Sequence, residues 1–187
     1  MRSGRLILVM TIIAALCPFM AQAADSSAEA MTKLREAAEK GDAKAQHDLA
    51  VDYMIGSGVP KDKAEVVKWL TRSAEQGNAN SESLLGTLYF QGDGVEQDIT
   101  EAIKWWYMAV EKHDSSAESQ LGFAYLLGDG VPVNFTQAYM WFSLAISDGD
   151  KHAVKDRDTI AKRMTPDHIV EAQHAIAEWL QKHPNGS

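Results

Sequence analysis

The sequence predicts an all-α solenoid of three helix-turn-helix repeats set between N- and C-terminal capping helices. Three observations carry that expectation. Gly56-Ser57-Gly58-Val59 returns thirty-six residues later as Gly92-Asp93-Gly94-Val95, and again as Gly128-Asp129-Gly130-Val131. The same offset relates Trp69, Trp105 and Trp141, Tyr53, Tyr89 and Tyr125, and Leu49, Leu85 and Leu121. Within each copy the apolar residues recur three to five apart, close to helical periodicity. A constant offset at several independent positions marks repeated units too small to fold alone. Stacked, such units present an extended surface rather than a pocket.

Residues 1–23 read as a secretory signal. Arg2 and Arg5 form its basic region, Leu6 to Phe19 its apolar core, and Ala21-Gln22-Ala23 a small-x-small cleavage site. The apolar stretch is shorter than the roughly 20 residues that span a bilayer, which favours a cleaved leader over an anchor. Cys17, the chain's single cysteine, lies inside it, so the mature chain could form no disulfide. Without the leader, 16 basic residues face 26 acidic ones, a formal charge of −10. That balance disfavours nucleic acid and anionic lipid, which require basic surface, and suits a soluble chain with a protein partner.

Residues 24–42 follow as an N-terminal capping helix. Leu34 to Gly41 aligns with the tail of a repeat's second helix and would cover the apolar end of the stack. The repeats then occupy 43–78, 79–114 and 115–150, within a span of 43–152. First helices are expected from about Lys44 to Ile55, Asn80 to Gln91 and Ser116 to Leu127. The small residues Ala50, Gly86 and Gly122 suit a close helix crossing. A helical glycine costs about 1 kcal/mol against alanine, so the two glycines need a packing reason. The first glycine of each loop falls where a left-handed C-cap is needed. A phosphate loop would need a strand before it and a helix directly after it; neither is present.

Second helices open on Asp62-x-x-Glu65, Asp98-x-x-Glu101 and Asn134-x-x-Gln137, each a capping-box pattern. Val66, Ala102 and Ala138, the three offset tryptophans, and Ser73, Ala109 and Ala145 then form one alternating small and large face. Trp106 shares a column with Leu70 and Phe142 and is expected between repeats. Gly77 and Gly149 close two of these helices, with His113 at the equivalent place in the middle copy. After 152 come C-terminal capping helices, 153–187: one over Ala153 to Met164, and one opened by Thr165-Pro166. The second carries Ile169, Ala172, Ile176 and Leu180 as its apolar stripe.

Leu85-Gly86, Tyr89, Gly92, Gly94, Val95, Asp98, Ala102 and Trp105 make up one copy of the pattern. Ala117, Leu121-Gly122, Tyr125, Gly128-Asp129-Gly130-Val131, Ala138 and Trp141 make up another. These copies resemble the Sel-1-like repeat family, a relative of the tetratricopeptide repeats. The first copy is looser, with Ala50 for the glycine and Val66 for the alanine. The resemblance implies a right-handed α-solenoid whose inner wall is lined by first helices and whose role is protein–protein interaction.

Carried onto this sequence, the concave-face positions are Lys44, His47, Val51 and Met54, then Asn80, Ser83, Thr87 and Phe90, then Ser116, Ser119, Phe123 and Leu126. Val51, Met54, Phe90, Phe123 and Leu126 are apolar where solvent exposure predicts polar. They read either as a groove for a peptide or helix or as padding between repeats.

No catalytic residue, cofactor or metal ligand stands out. His47, His113, His152, His168, His174 and His183 form no ligand spacing and are expected as surface residues. Gly-x-Ser-x-Gly and Ser-x-x-Lys are absent from the sequence. The expectation is a periplasmic or secreted protein binder: an adaptor, a signalling regulator or a toxin-neutralising protein. The alternative is a hydrolase of β-lactam or cell-wall substrates, as the resemblance implies for cysteine-rich relatives, whose paired cysteines this chain lacks.

Overall fold

The computed structural model describes residues 28–184, so the expected leader with Cys17 lies outside the described residues. Among the described residues nine helices follow one another: α1 (28–39), α2 (Ala43–Ile55), α3 (Lys63–Ala74), α4 (Ala79–Gln91), α5 (Ile99–Val110), α6 (Ser115–Leu127), α7 (Phe135–Ser147), α8 (Ala153–Ala161) and α9 (Pro166–Lys182). There is no strand among the described residues. Each helix from α2 to α7 packs on its successor, giving an all-α solenoid.

Capping explains where each helix begins. Asp42, Asn78 and Asp114 accept from the backbone N–H three residues on and start the first helices α2, α4 and α6, a cap the sequence pattern did not flag. Asp62, Asp98 and Asn134 do the same for α3, α5 and α7. The reciprocal half of the expected capping box does not form. The cap's own N–H donates instead to the carbonyl of the repeated tyrosine: Asp62 to Tyr53 at 3.2 Å, Asp98 to Tyr89 at 3.0 Å, Asn134 to Tyr125 at 2.8 Å. A helix leaves its last carbonyls unpaired, and this bond satisfies one while closing the loop. Released from that duty, Glu65 accepts from the Trp69 indole at 2.8 Å and from Lys68 at 2.7 Å.

The two helices of a hairpin meet at the small residues. A Cβ on Gly86 would lie 2.7 Å from the Trp106 ring, and one on Gly122 would lie 2.8 Å from the Phe142 ring. Bulk on the second helix is thus matched by its removal from the first. In the looser copy both partners change together, with Ala50 in the small column and Leu70 in the large one. Trp106 is 1% exposed and takes the deeper place, whereas Trp105 of the repeated tryptophan column is only half-buried; Trp69 and Trp141 are buried as expected.

The core runs along the stack as three clusters. The first joins α1, through Ala38, to Leu49, Trp69 and Leu85. The second joins Trp106, Leu121 and Trp141, and the third joins Phe142, Ala153 and Ile160. The final helix does not extend the stack. It lies back on α7, with Trp179 edge-on to Trp141 at 4.9 Å and His183 stacked on Trp179 at 3.8 Å. His183 also meets Glu111, at the end of α5, at 3.0 Å. Of the expected apolar stripe, Ala172 is buried and Ile169 and Ile176 half-buried, but Leu180 is 37% exposed.

Gly86→Ala is expected to lower stability by about 1–3 kcal/mol through overpacking. Adding Trp106→Leu, which copies the Ala50–Leu70 pairing, should recover part of that loss in a double-mutant cycle of urea melts. Simple additivity of the two changes would show that the rings do not set the crossing.

Candidate functional site

The structure scatters the twelve concave-face positions over several environments. Lys44, Asn80 and Ser116 are exposed, and Lys44 pairs with Asp48 at 2.6 Å. His47 is half-buried against the Ser81 hydroxyl at 2.9 Å, and burial holds its pKa below the usual histidine value. Ser83 is buried rather than outward, and its carbonyl accepts from Thr87 at 3.1 Å. Ser119 donates to Asp150 at 2.6 Å. Val51 is half-buried. Met54 borders a cavity of about 190 Å³ with Tyr53, Val66 and Leu88. Leu126 packs on the Phe142 cluster, which joins the third repeat to α8.

Phe90 and Phe123 are brought together. They share a groove of about 210 Å³ between α4 and α6, with Trp106 as a further wall and Gln120, Leu127 and Asp129 beside them. Phe90 rests on Trp106 with ring centroids 5.6 Å apart, and Phe123 stands edge-on to Phe142 at 4.9 Å. Phe123 and Leu127 are 37% and 63% exposed, leaving an open apolar rim over an aromatic floor. Leu127 escaped the sequence reading because it ends its helix, beyond the positions that the family resemblance assigned to the inner wall.

A second feature appears when the junctions between repeats are superposed by their thirty-six-residue offset. At the first, Gln76 donates to Gln46 at 2.7 Å. At the second, Lys112 donates to both oxygens of the fully buried Glu82 at 2.8 Å. At the third, Glu118 is again fully buried, but the lysine's place is held by Asp148. Neither oxygen of Glu118 has a hydrogen-bond donor. His113 enters the same junction, its Nδ1 3.0 Å from Asp148 Oδ2. With side chains 19% and 8% exposed, His113 and Asp148 are not free surface groups, contrary to the expectation for that histidine.

The backbone at His113 is itself unusual. Gly41, Gly77 and Gly149 close their helices with φ of 98°, 84° and 110°, and His113 makes the same turn at φ 59°. A side chain in this left-handed region costs about 1–2 kcal/mol. The sequence showed His113 as a departure from glycine; only the fold shows what it faces.

The Sel1 repeat pattern matches residues 43–78, 79–114 and 115–150. The chain belongs to the Sel1 repeat family. A Sel1 repeat protein from Oxalobacter formigenes is 31% identical, with 76% of this chain and 59% of that one covered and a TM-score of 0.66. A protective antigen of uropathogenic Escherichia coli, c5321, is 27% identical over 82% of this chain and 41% of its own, with a TM-score of 0.56. The chain therefore spans less than two thirds of either structure. Helicobacter pylori cysteine rich protein B shares the fold at 23% identity, covering 68% and 91% of the two chains with a TM-score of 0.54. No curated protein matches the sequence.

In this Sel1-repeat stack the Ser81–His47 contact offers no accessible nucleophile. Ser81 is fully buried and bonds onward to Ser73 at 2.8 Å. The third junction is electrostatically loaded: burial first, then the Asp148 and Asp114 charges, push the Glu118 pKa up to about 9. A raised folded pKa means that Glu118 costs nothing below its unfolded value of about 4.3 and weakens the fold as pH climbs from there towards 9. Glu118→Gln removes that cost. In the presence of a chelator, its melting temperature should exceed the wild type's by several degrees at pH 8, with a much smaller gap at pH 4.5. An equal gap at both would refute the loaded junction.

Proposed function

We propose that this protein is an exported binder of another protein, and that it buries an apolar side chain of a partner peptide or helix in the groove between α4 and α6. Sel1-repeat proteins generally mediate protein–protein interaction, and the fold is typically non-enzymatic. The observation that carries the reading is the exposed rim of Phe123 and Leu127 over Phe90 and Trp106. Contiguous apolar surface with a polar border marks a docking site, and helix-in-groove recognition needs such a slot. Gln120 and Asp129 supply the border.

The apolar leader with its small-x-small end supports export to the periplasm or beyond. An acidic chain in that compartment suits a partner with basic flanks. Adaptor, envelope-signalling regulator and toxin-neutralising binder all follow from one mechanism, the occupation of the groove. No helix among the described residues is long and apolar enough to cross a membrane.

Photocrosslinking from position 127 identifies what the groove holds, and binding is then measured with the purified partner. Leu127→Asp is expected to weaken that binding at least tenfold while leaving the helical circular dichroism unchanged, since the side chain is mostly exposed. Unaltered affinity in a folded Leu127→Asp protein would reject the groove. Cell fractionation and N-terminal sequencing check the export, with mature protein expected to start at Ala24.

A further inference from the structure

We propose that His113, Glu118 and Asp148 form a binding site for one divalent transition-metal cation of the zinc type at the junction between the second and third repeats. The inference is independent of the partner-binding reading and rests on how this junction departs from its two siblings. One histidine nitrogen and one oxygen from each carboxylate lie within 4.8 Å of one another. For zinc bonds near 2.0–2.2 Å, adjacent ligands of a tetrahedron are roughly 3.4 Å apart. His113 and Asp148, at 3.0 Å, already stand near that separation.

The chemistry of the donors argues for a cation. Glu118 is fully buried with both oxygens lacking a donor, and it faces a second carboxylate instead of the ammonium that its counterpart Glu82 receives from Lys112. Asp148 also forms the C-cap of α7, where the helix's partial negative charge reinforces the field. A metal ion would do for Glu118 what Lys112 does for Glu82. It would take the place of the hydrogen between His113 Nδ1 and Asp148, which the imidazole then carries on Nε2, and the carboxyl proton of Glu118 would be released to solvent on binding.

Imidazole and carboxylate together suit zinc and its neighbours. Magnesium and calcium prefer six or more oxygen ligands and gain nothing from the nitrogen. The partly exposed His113 side chain gives a path of entry, and water would supply the remaining ligand. The left-handed backbone at His113 fits the same reading. A residue that strains the turn is retained where glycine serves the other junctions, and it is the residue that supplies the nitrogen.

The test is zinc titration of the untagged, chelator-stripped chain by calorimetry, with magnesium and calcium chloride as comparators. One zinc per chain is expected, with a higher melting temperature when loaded. Two variants separate lost ligands from lost fold. His113→Gly restores the residue that the other junctions use, and Asp148→Lys recreates the Glu82–Lys112 pair; neither should melt below the metal-free wild type. Each is expected to weaken zinc binding at least tenfold. Absence of saturable zinc binding by the folded wild type overturns the proposal. So does zinc affinity within twofold of wild type in both variants, or magnesium binding as tightly as zinc.

Discussion

The distance between the two helices of a hairpin is the constraint on which the other contacts rest. Gly86 under Trp106 and Gly122 under Phe142 let the backbones approach until the rings lie almost on the neighbouring chain. That approach brings each repeated tyrosine carbonyl within reach of the next helix's cap, and so fixes the loop. It also sets how deeply the large residue of the second helix sinks, which defines the aromatic floor on which Phe90 rests. A methyl group at either glycine would disturb packing, loop closure and groove together. Close-packed interiors transmit such changes because few voids exist to absorb them.

Above that shared frame the junctions differ in chemistry while keeping their geometry. The same two columns hold a neutral amide pair, a carboxylate with an ammonium, and two carboxylates with an imidazole. A buried polar group is stable only when its partner is supplied, so each junction must be satisfied in its own way. The first two are satisfied within the chain. The third is where the stack looks outward for its missing partner.

Much of the fold was legible because its signals were periodic. The offset of Gly56, Gly92 and Gly128 placed the helix ends, and the columns of Leu49 and Trp69 placed the core, all from local rules of capping and spacing. The capping boxes failed in their second half because a tertiary bond, from Asp98 N–H to the Tyr89 carbonyl, took the donor that the local motif reserved for Glu101. The site was less legible for the same reason. Phe90 and Phe123 were visible as apolar residues on a helix face, but Ser83 on that face is buried and Leu127 beyond it is exposed. Glu118 and Asp148 lie thirty residues apart and meet only through packing. Their meeting was foreshadowed in the columns, where a lysine gives way to an aspartate, but column identity carries no chemistry until the partner column is known.

Because α9 lies on α7 and its C-cap His183 meets Glu111 at the end of α5, it ties the third hairpin to the second. Trp179 on Trp141 and His183 on Glu111 link the last two repeats, so loosening there disturbs both. Among the described residues the opposite end is covered by α1, through Met31, Leu34, Ala37 and Ala38. Stacked arrays exchange their weakest edge with solvent first. The array accordingly frays from its front, the α1 edge, before its riveted back.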